Sequence, residues 1–224
     1  MTTNEMQLEY LEINPKHSPK HSIIWMHGLG ADANDFVPMV EELRLPDELA
    51  LRFVFPNAPV MPITINNGYE MRAWYDITGG NLQDRIDHAG IQKSVLVVRA
   101  LIQQELDRGL PAESIMLGGF SQGAVMALTV GLCYPERLGG IIALSGYLPL
   151  LDDVLRQAPA ANKQIPIFLG HGTEDSLVPH RLSQVVYESL QAAGYSASMH
   201  SYAMPHTVCA EEIGDIRQWL ERIL

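Results

Sequence analysis

Apolar residues along this chain follow two rhythms that take turns. One is the short unbroken run: HSIIWMHG (21–28), LRFVFP (51–56), SIMLGG (114–119), GGIIALSG (139–146) and QIPIFLGHG (164–172), each bounded by glycine or proline. The other is a spacing of three or four. It marks DFVPMVEELR (35–44), a segment from Ile86 to Leu106 with Ile91, Val95, Val98, Ile102 and Leu106 on one face, and QGAVMALTVGL (122–132). HRLSQVVYESLQAAG (180–194) has it too, as does a closing segment with Cys209, Ile213, Ile216, Leu220 and Ile223. The runs predict strands and the spaced segments predict helices, with SASMHSYA (196–203) as one further strand. Strands without a polar face are buried on both sides. The alternation therefore predicts an α/β fold, a mostly parallel central sheet with helices on both faces. No repeat, low-complexity tract or linker divides the chain, so residues 1–224 are expected to form a single domain.

Residues 56–84, PNAPVMPITINNGYEMRAWYDITGGNLQD, break the alternation. A connection this long is usually functional or disordered. Met61, Ile63, Met71, Trp74 and Tyr75 make it too apolar for disorder, so it is expected to pack over a site. Its methionines, Met71 among them, are flexible wall material for a substrate pocket, although plain packing would use them equally well.

Composition removes several function classes. Acidic residues outnumber basic ones 26 to 15, for a net charge of −11, which repels nucleic acid and anionic lipid surfaces. No apolar stretch is long enough for a membrane span and the N-terminus has no signal-like apolar core, so a cytoplasmic location is expected. The two cysteines, Cys133 and Cys209, fit neither a disulfide framework nor a zinc site and read as buried free thiols. The sequence leaves monomer and homodimer open.

Candidate chemistry begins at Gly119-Phe120-Ser121-Gln122-Gly123, a G-x-S-x-G between a strand and a helix. Such a turn lifts a serine hydroxyl clear of the sheet and aims a helix N-terminus at it; the glycines alone would also suit tight packing. A serine needs a base, and the base needs an acid, in the chain order Ser, Asp or Glu, His. Asp175 follows the strand 164–172, and His206 precedes the last helix. All three fall at the carboxyl ends of strands, where open α/β sheets build their sites. Glu174 is the alternative acid. Two backbone N–H groups, of Gln122 and of Leu29 in the glycine-rich MHGLGAD loop, are candidates for an oxyanion hole. His27 in that loop is expected to hold its shape; His171 and His200 read as structural, Ser145 lacks flanking glycines, and Arg72 could meet an acidic group on a substrate.

Together, WMHGLGAD, RFVFPNAP, NNGYEMRAWYD, GGFSQG, HGTEDSLVP and YAMPHTV resemble the small carboxylesterases of the acyl-protein thioesterase and lysophospholipase family, over nearly the whole chain. The resemblance implies an α/β-hydrolase fold without a large cap domain. It also implies no cofactor or metal, and a small ester or acyl substrate cleaved by Ser121, Asp175 and His206. It further implies that Trp74 lies beside the acyl pocket. The expected activity is a carboxylesterase, with acyl-protein thioesterase or lysophospholipase as the alternative; a non-catalytic ligand-binding protein is the remote one. The chain departs from the family's pattern at Ala124 and Pro205, where glycine is common, and the proline is expected to alter the seat of the histidine loop.

Overall fold

A computed structural model describes residues 8–79 and 87–224. Its strands are β1 (Tyr10–Ile13), β2 (His21–Met26), β3 (Leu51–Pro56), β4 (Val60–Ile63), β5 (Tyr69–Arg72), β6 (Ile115–Phe120), β7 (Gly140–Leu144), β8 (Ile167–Gly172) and β9 (Ala197–Tyr202). Its α-helices are α1 (Val37–Leu43), α2 (His88–Asp107), α3 (Gln122–Cys133), α4 (Leu151–Gln157), α5 (His180–Ala192) and α6 (Ala210–Ile223). The main sheet runs β1-β3-β2-β6-β7-β8-β9; β1 is antiparallel to β3 and every other pairing is parallel. This is an α/β-hydrolase fold with no large cap evident among the described residues.

The central strands are buried because helices cover both sheet faces. One apolar cluster joins α2, α3, α4 and α5 to the sheet through residues such as Ile91, Val98, Val125, Leu128 and Val186. The other joins α1 and α6 to the opposite face through Met39, Leu43, Ile216, Trp219 and Leu220. β2 is followed in sequence by β3 on one side, and the chain then returns to place β6 on the other. Loops leaving β2 and β6 therefore diverge, opening a crevice at their carboxyl ends.

Four features differ from expectation. The long loop contains an antiparallel hairpin, β4 against β5, with Met61 opposite Met71. β1 adds an edge strand, and α4 adds a short helix after β7. Cys133 and Cys209 are free but only half-buried. α2 starts where Asp87 accepts the Gly90 N–H at 2.8 Å. Ile86 and loop residues 80–84 lie outside the described residues.

Candidate active site

β6 ends at Phe120 and α3 begins at Gln122, so Ser121 makes the turn alone. Its backbone sits at φ 54°, ψ −114°, a conformation few non-glycine residues adopt and one that costs roughly 1–3 kcal/mol. Neighbouring chain holds it there. Its N–H donates to Leu144 O at 2.9 Å, and its carbonyl accepts from Ala124 and Val125 at 3.1 and 3.2 Å. The flanking glycines are steric necessities: a Cβ on Gly119 would lie 2.3 Å from the Gly123 carbonyl carbon, and one on Gly123 would lie 2.0 Å from Met26 O. Serine at a helix start commonly caps the first N–H groups, but Ser121 Oγ makes no cap bond. Ser121 lines a cavity of about 450 Å³.

Asp175 lies in the loop after β8 with its side chain fully buried. Oδ1 accepts the N–H groups of Leu177 and Val178 at 2.9 and 2.8 Å, and Oδ2 accepts His206 Nδ1–H at 2.6 Å. Three donors thus fix an anion that would otherwise be costly to bury. Glu174 is exposed and, among the described residues, holds the loop only through its backbone, donating to Met204 O at 3.1 Å. His206 packs its ring 4.7 Å from that of Phe120 and joins Ser121 on the cavity wall. Pro205 precedes it in a tight turn: the Pro205 carbonyl accepts the Thr207 N–H at 2.9 Å, and His206 reaches Asp175. Ala124 is buried with its methyl against Gly146.

Leu29 and Gln122 line the same cavity, and among the described residues neither backbone N–H has an acceptor. The Leu29 loop is held from behind. His27 donates from Nδ1 to Gly28 O at 2.7 Å and accepts the Ala58 N–H on Nε2 at 3.0 Å. Burial lowers the pKa of His27, which keeps the ring in the neutral form this pattern needs.

Trp74 and Met71, expected at the substrate pocket, are not among the residues that line this cavity. Trp74 is fully buried, its indole donates to His27 O at 2.9 Å, and its N–H donates to Gln122 Oε1 at 3.1 Å. A buried indole needs an acceptor, and the nearest one is inside the protein, behind the Leu29 loop. Met71 Sδ packs toward Gly30 and accepts from Asn66 Nδ2 at 3.6 Å, beside the hairpin. The wall is formed instead by Ile65, Tyr75 and Ile77 of the long loop, Leu177 and Val178 of the acid loop, and Tyr147. The Gln122 side chain was likewise not legible: its Nε2 donates to Tyr75 O at 2.9 Å, so one amide clamps the backbone on both sides of Trp74–Tyr75. The one available signal was a polar residue directly after the serine, at the start of an otherwise apolar helix.

The other candidates are placed elsewhere. Arg72 donates to Ala58 O at 3.0 Å, His200 stacks on Phe168 at 4.4 Å, and Ser145 is fully buried. Among the described residues no group of three or more His, Cys, Asp or Glu side chains is placed to hold a metal, and no helix is long and apolar enough to cross a membrane.

The chain is similar to known proteins over nearly its whole length. A family model described as phospholipase/carboxylesterase matches residues 8–224. Acyl-protein thioesterase 1 of Yarrowia lipolytica is 36% identical over 216 residues, covering 94% of this chain and 95% of that one. The crystal structure of Arabidopsis thaliana SOBER1 aligns with a TM-score of 0.85 at 32% identity, covering 91% of this chain and 98% of its own. Zea mays acyl-protein thioesterase 2 aligns with a TM-score of 0.84 at 28% identity, covering 97% and 99%.

Proposed function

Because the chain belongs to the phospholipase/carboxylesterase family, and is with it a carboxylic ester hydrolase, we propose that Ser121, His206 and Asp175 are its catalytic triad and that it cleaves acyl esters and thioesters. The 2.6 Å bond from His206 Nδ1 to Asp175, beside a strained serine facing the same cavity, carries this reading. In it, Ser121 Oγ attacks the acyl carbon and gives its proton to His206 Nε2, the nitrogen that Asp175 leaves free. The developing oxyanion accepts from the Leu29 and Gln122 N–H groups, aided by the N-terminus of α3. His206 passes the proton to the departing alcohol or thiol. It then deprotonates the water that releases the acid and regenerates Ser121.

Thioesters stand beside esters because the similar fungal and plant proteins are named acyl-protein thioesterases. The wall supports uncharged acyl chains over lysophospholipids, since none of the described residues lining it is Lys or Arg and Asp35 is among them. A purely binding protein would gain nothing from a strained serine that makes no structural side-chain bond. A fluorophosphonate should label Ser121 stoichiometrically and abolish hydrolysis across a series of p-nitrophenyl esters and matched acyl thioesters. Labelling at another serine, or activity that survives full labelling, would refute the triad; turnover of neither series would refute the substrate class.

A further inference from the structure

Leu29 and Gln122, the proposed oxyanion donors, follow different strands, and the sheet does not fix their spacing. The parallel ladder between β2 and β6 ends where Met26 faces Gly119, three residues short of each donor. Among the described residues Leu29 makes no backbone hydrogen bond of its own. Hydrogen bonds join the two donors through a third stretch, residues 72–75, at the end of β5 and just past it. This stretch grips the Leu29 loop on both sides of that residue: the Trp74 indole donates to His27 O at 2.9 Å, and Arg72 O accepts the Gly30 N–H at 2.8 Å. One side chain holds it to the start of α3. Gln122 Oε1 accepts the Trp74 N–H at 3.1 Å, and Gln122 Nε2 donates to Tyr75 O at 2.9 Å.

We propose that the Gln122 side chain is a positioning residue of the oxyanion hole: it ties the Leu29 loop to α3 through Trp74 and so sets the distance between the two donors. The proposal rests on the triad reading above. Gln122 and Trp74 are both buried, so water does not compete for these bonds, and an amide left unpaired there is costly. Ser94 Oγ, on α2, fixes the same stretch from behind by donating to Trp74 O. An oxyanion needs both donors in place at once, and donors held beforehand lower the barrier because they do not reorganise as charge develops. A loosened Leu29 loop still admits substrate but stabilises the transition state less, so the tie acts on kcat more than on KM. The rival is close packing alone. A Cβ on Gly123 would meet Met26 O at 2.0 Å and His27 O at 2.9 Å, so the main chains of α3 and the end of β2 already touch. If that contact sufficed, the amide would be dispensable.

Gln122→Met keeps the length of the side chain and the backbone N–H, and removes both amide bonds. On p-nitrophenyl esters it should lower kcat by roughly 10–100-fold with KM little changed, against the roughly 10²–10³-fold that loss of a donor costs. Trp74→Phe cuts the tie further along, so adding it to Gln122→Met should cost less than Trp74→Phe costs alone. Losses that multiply, a loss carried by KM, or a kcat per folded molecule within about twofold of wild type would each overturn the proposal. Amide hydrogen exchange reads the tie without activity. The Gly30 N–H, bonded to Arg72 O, and the Ala58 N–H, bonded to His27 Nε2, should exchange at least about tenfold faster in Gln122→Met. Unchanged exchange at both refutes it. Should Gln122→Met not fold, the same kcat and exchange measurements on Trp74→Phe decide in the same sense. Should the wild-type protein hydrolyse no ester, the triad reading fails on its own, while exchange still reports whether Gln122 holds the Leu29 loop.

Discussion

Glu212 in the first turn of α6 offers the sharpest quantitative test of the packing. It is fully buried, and neither carboxylate oxygen has a hydrogen-bond partner among the described residues. It occupies the space left by Gly170 of β8, where an added Cβ would lie 2.1 Å from Oε1. Burial first, and the nearby Asp215 charge second, raise its pKa from 4.5 to about 8. The folded state therefore binds a proton that the unfolded chain has released, and wild-type stability falls as pH rises from about 4.5 through about 8. At about 1.4 kcal/mol per unit, that interval sets a ceiling of about 5 kcal/mol, a large part of an ordinary domain's stability. Glu212→Gln keeps the shape and removes the titration. In urea unfolding at pH 5 the variant should lie within about 1 kcal/mol of wild type. By pH 9 it should be the more stable by several kcal/mol, with the gap opening chiefly between pH 5 and 8. Stability curves that stay parallel from pH 5 to 9 would refute a buried neutral carboxyl at this position.

Two further outcomes separate brace from wall and acid from neighbour. Trp74→Phe leaves His27 O unpaired, so it should cost about 1–3 kcal/mol in thermal unfolding and lower kcat/KM about tenfold for every ester chain length alike. Leu177→Ala, at an exposed wall position, should leave unfolding unchanged and re-rank the chain lengths by about 1–3 kcal/mol at most; re-ranking by Trp74→Phe instead would return that residue to the pocket. Asp175→Asn should lower kcat about 10³–10⁴-fold with little change in KM, by analogy with serine-protease triads, while Glu174→Gln should stay within a few-fold in the same steady-state assay. A crippled Glu174→Gln would show the acid to be misassigned.

The legible parts of the fold were those where burial dictates residue type. β2, β6, β7 and β8 are covered on both faces and read as unbroken apolar runs. β1 escaped because an edge strand with mixed exposure needs only YLEI. The hairpin escaped because Pro62 sits inside β4 and half of its residues face solvent. α4 has barely two turns. Within the site, the G-x-S-x-G was readable because each glycine records a backbone contact that no side chain permits. Asp175 and His206 were readable from their places after strands. The wall was not. Ile65, Ile77 and Leu177 come from loops whose approach to the serine is decided by pairings far from them in sequence. The seat of Trp74 was not legible for a related reason: nothing in NNGYEMRAWYD reveals that its indole N–H turns inward to His27 O.

The division of labour around the cavity bears on how this protein can change. Main-chain groups do much of the holding: Leu29 and Gln122 line the cavity with backbone N–H groups that have no acceptor among the described residues, and the N–H groups of Leu177 and Val178 secure Asp175. Side chains of Ile65, Ile77 and Leu177 contribute only apolar surface, and Leu177 is 67% exposed. Leu177 thus serves both purposes at once, its backbone anchoring the acid while its side chain meets whatever enters. Mutation can replace that side chain and leave the anchor in place. If the proposed triad holds, drift or selection at these positions can retune which acyl groups are accepted while the frame around Ser121, Asp175 and His206 is inherited intact, and a library confined to them would sample substrate range with little risk to the fold.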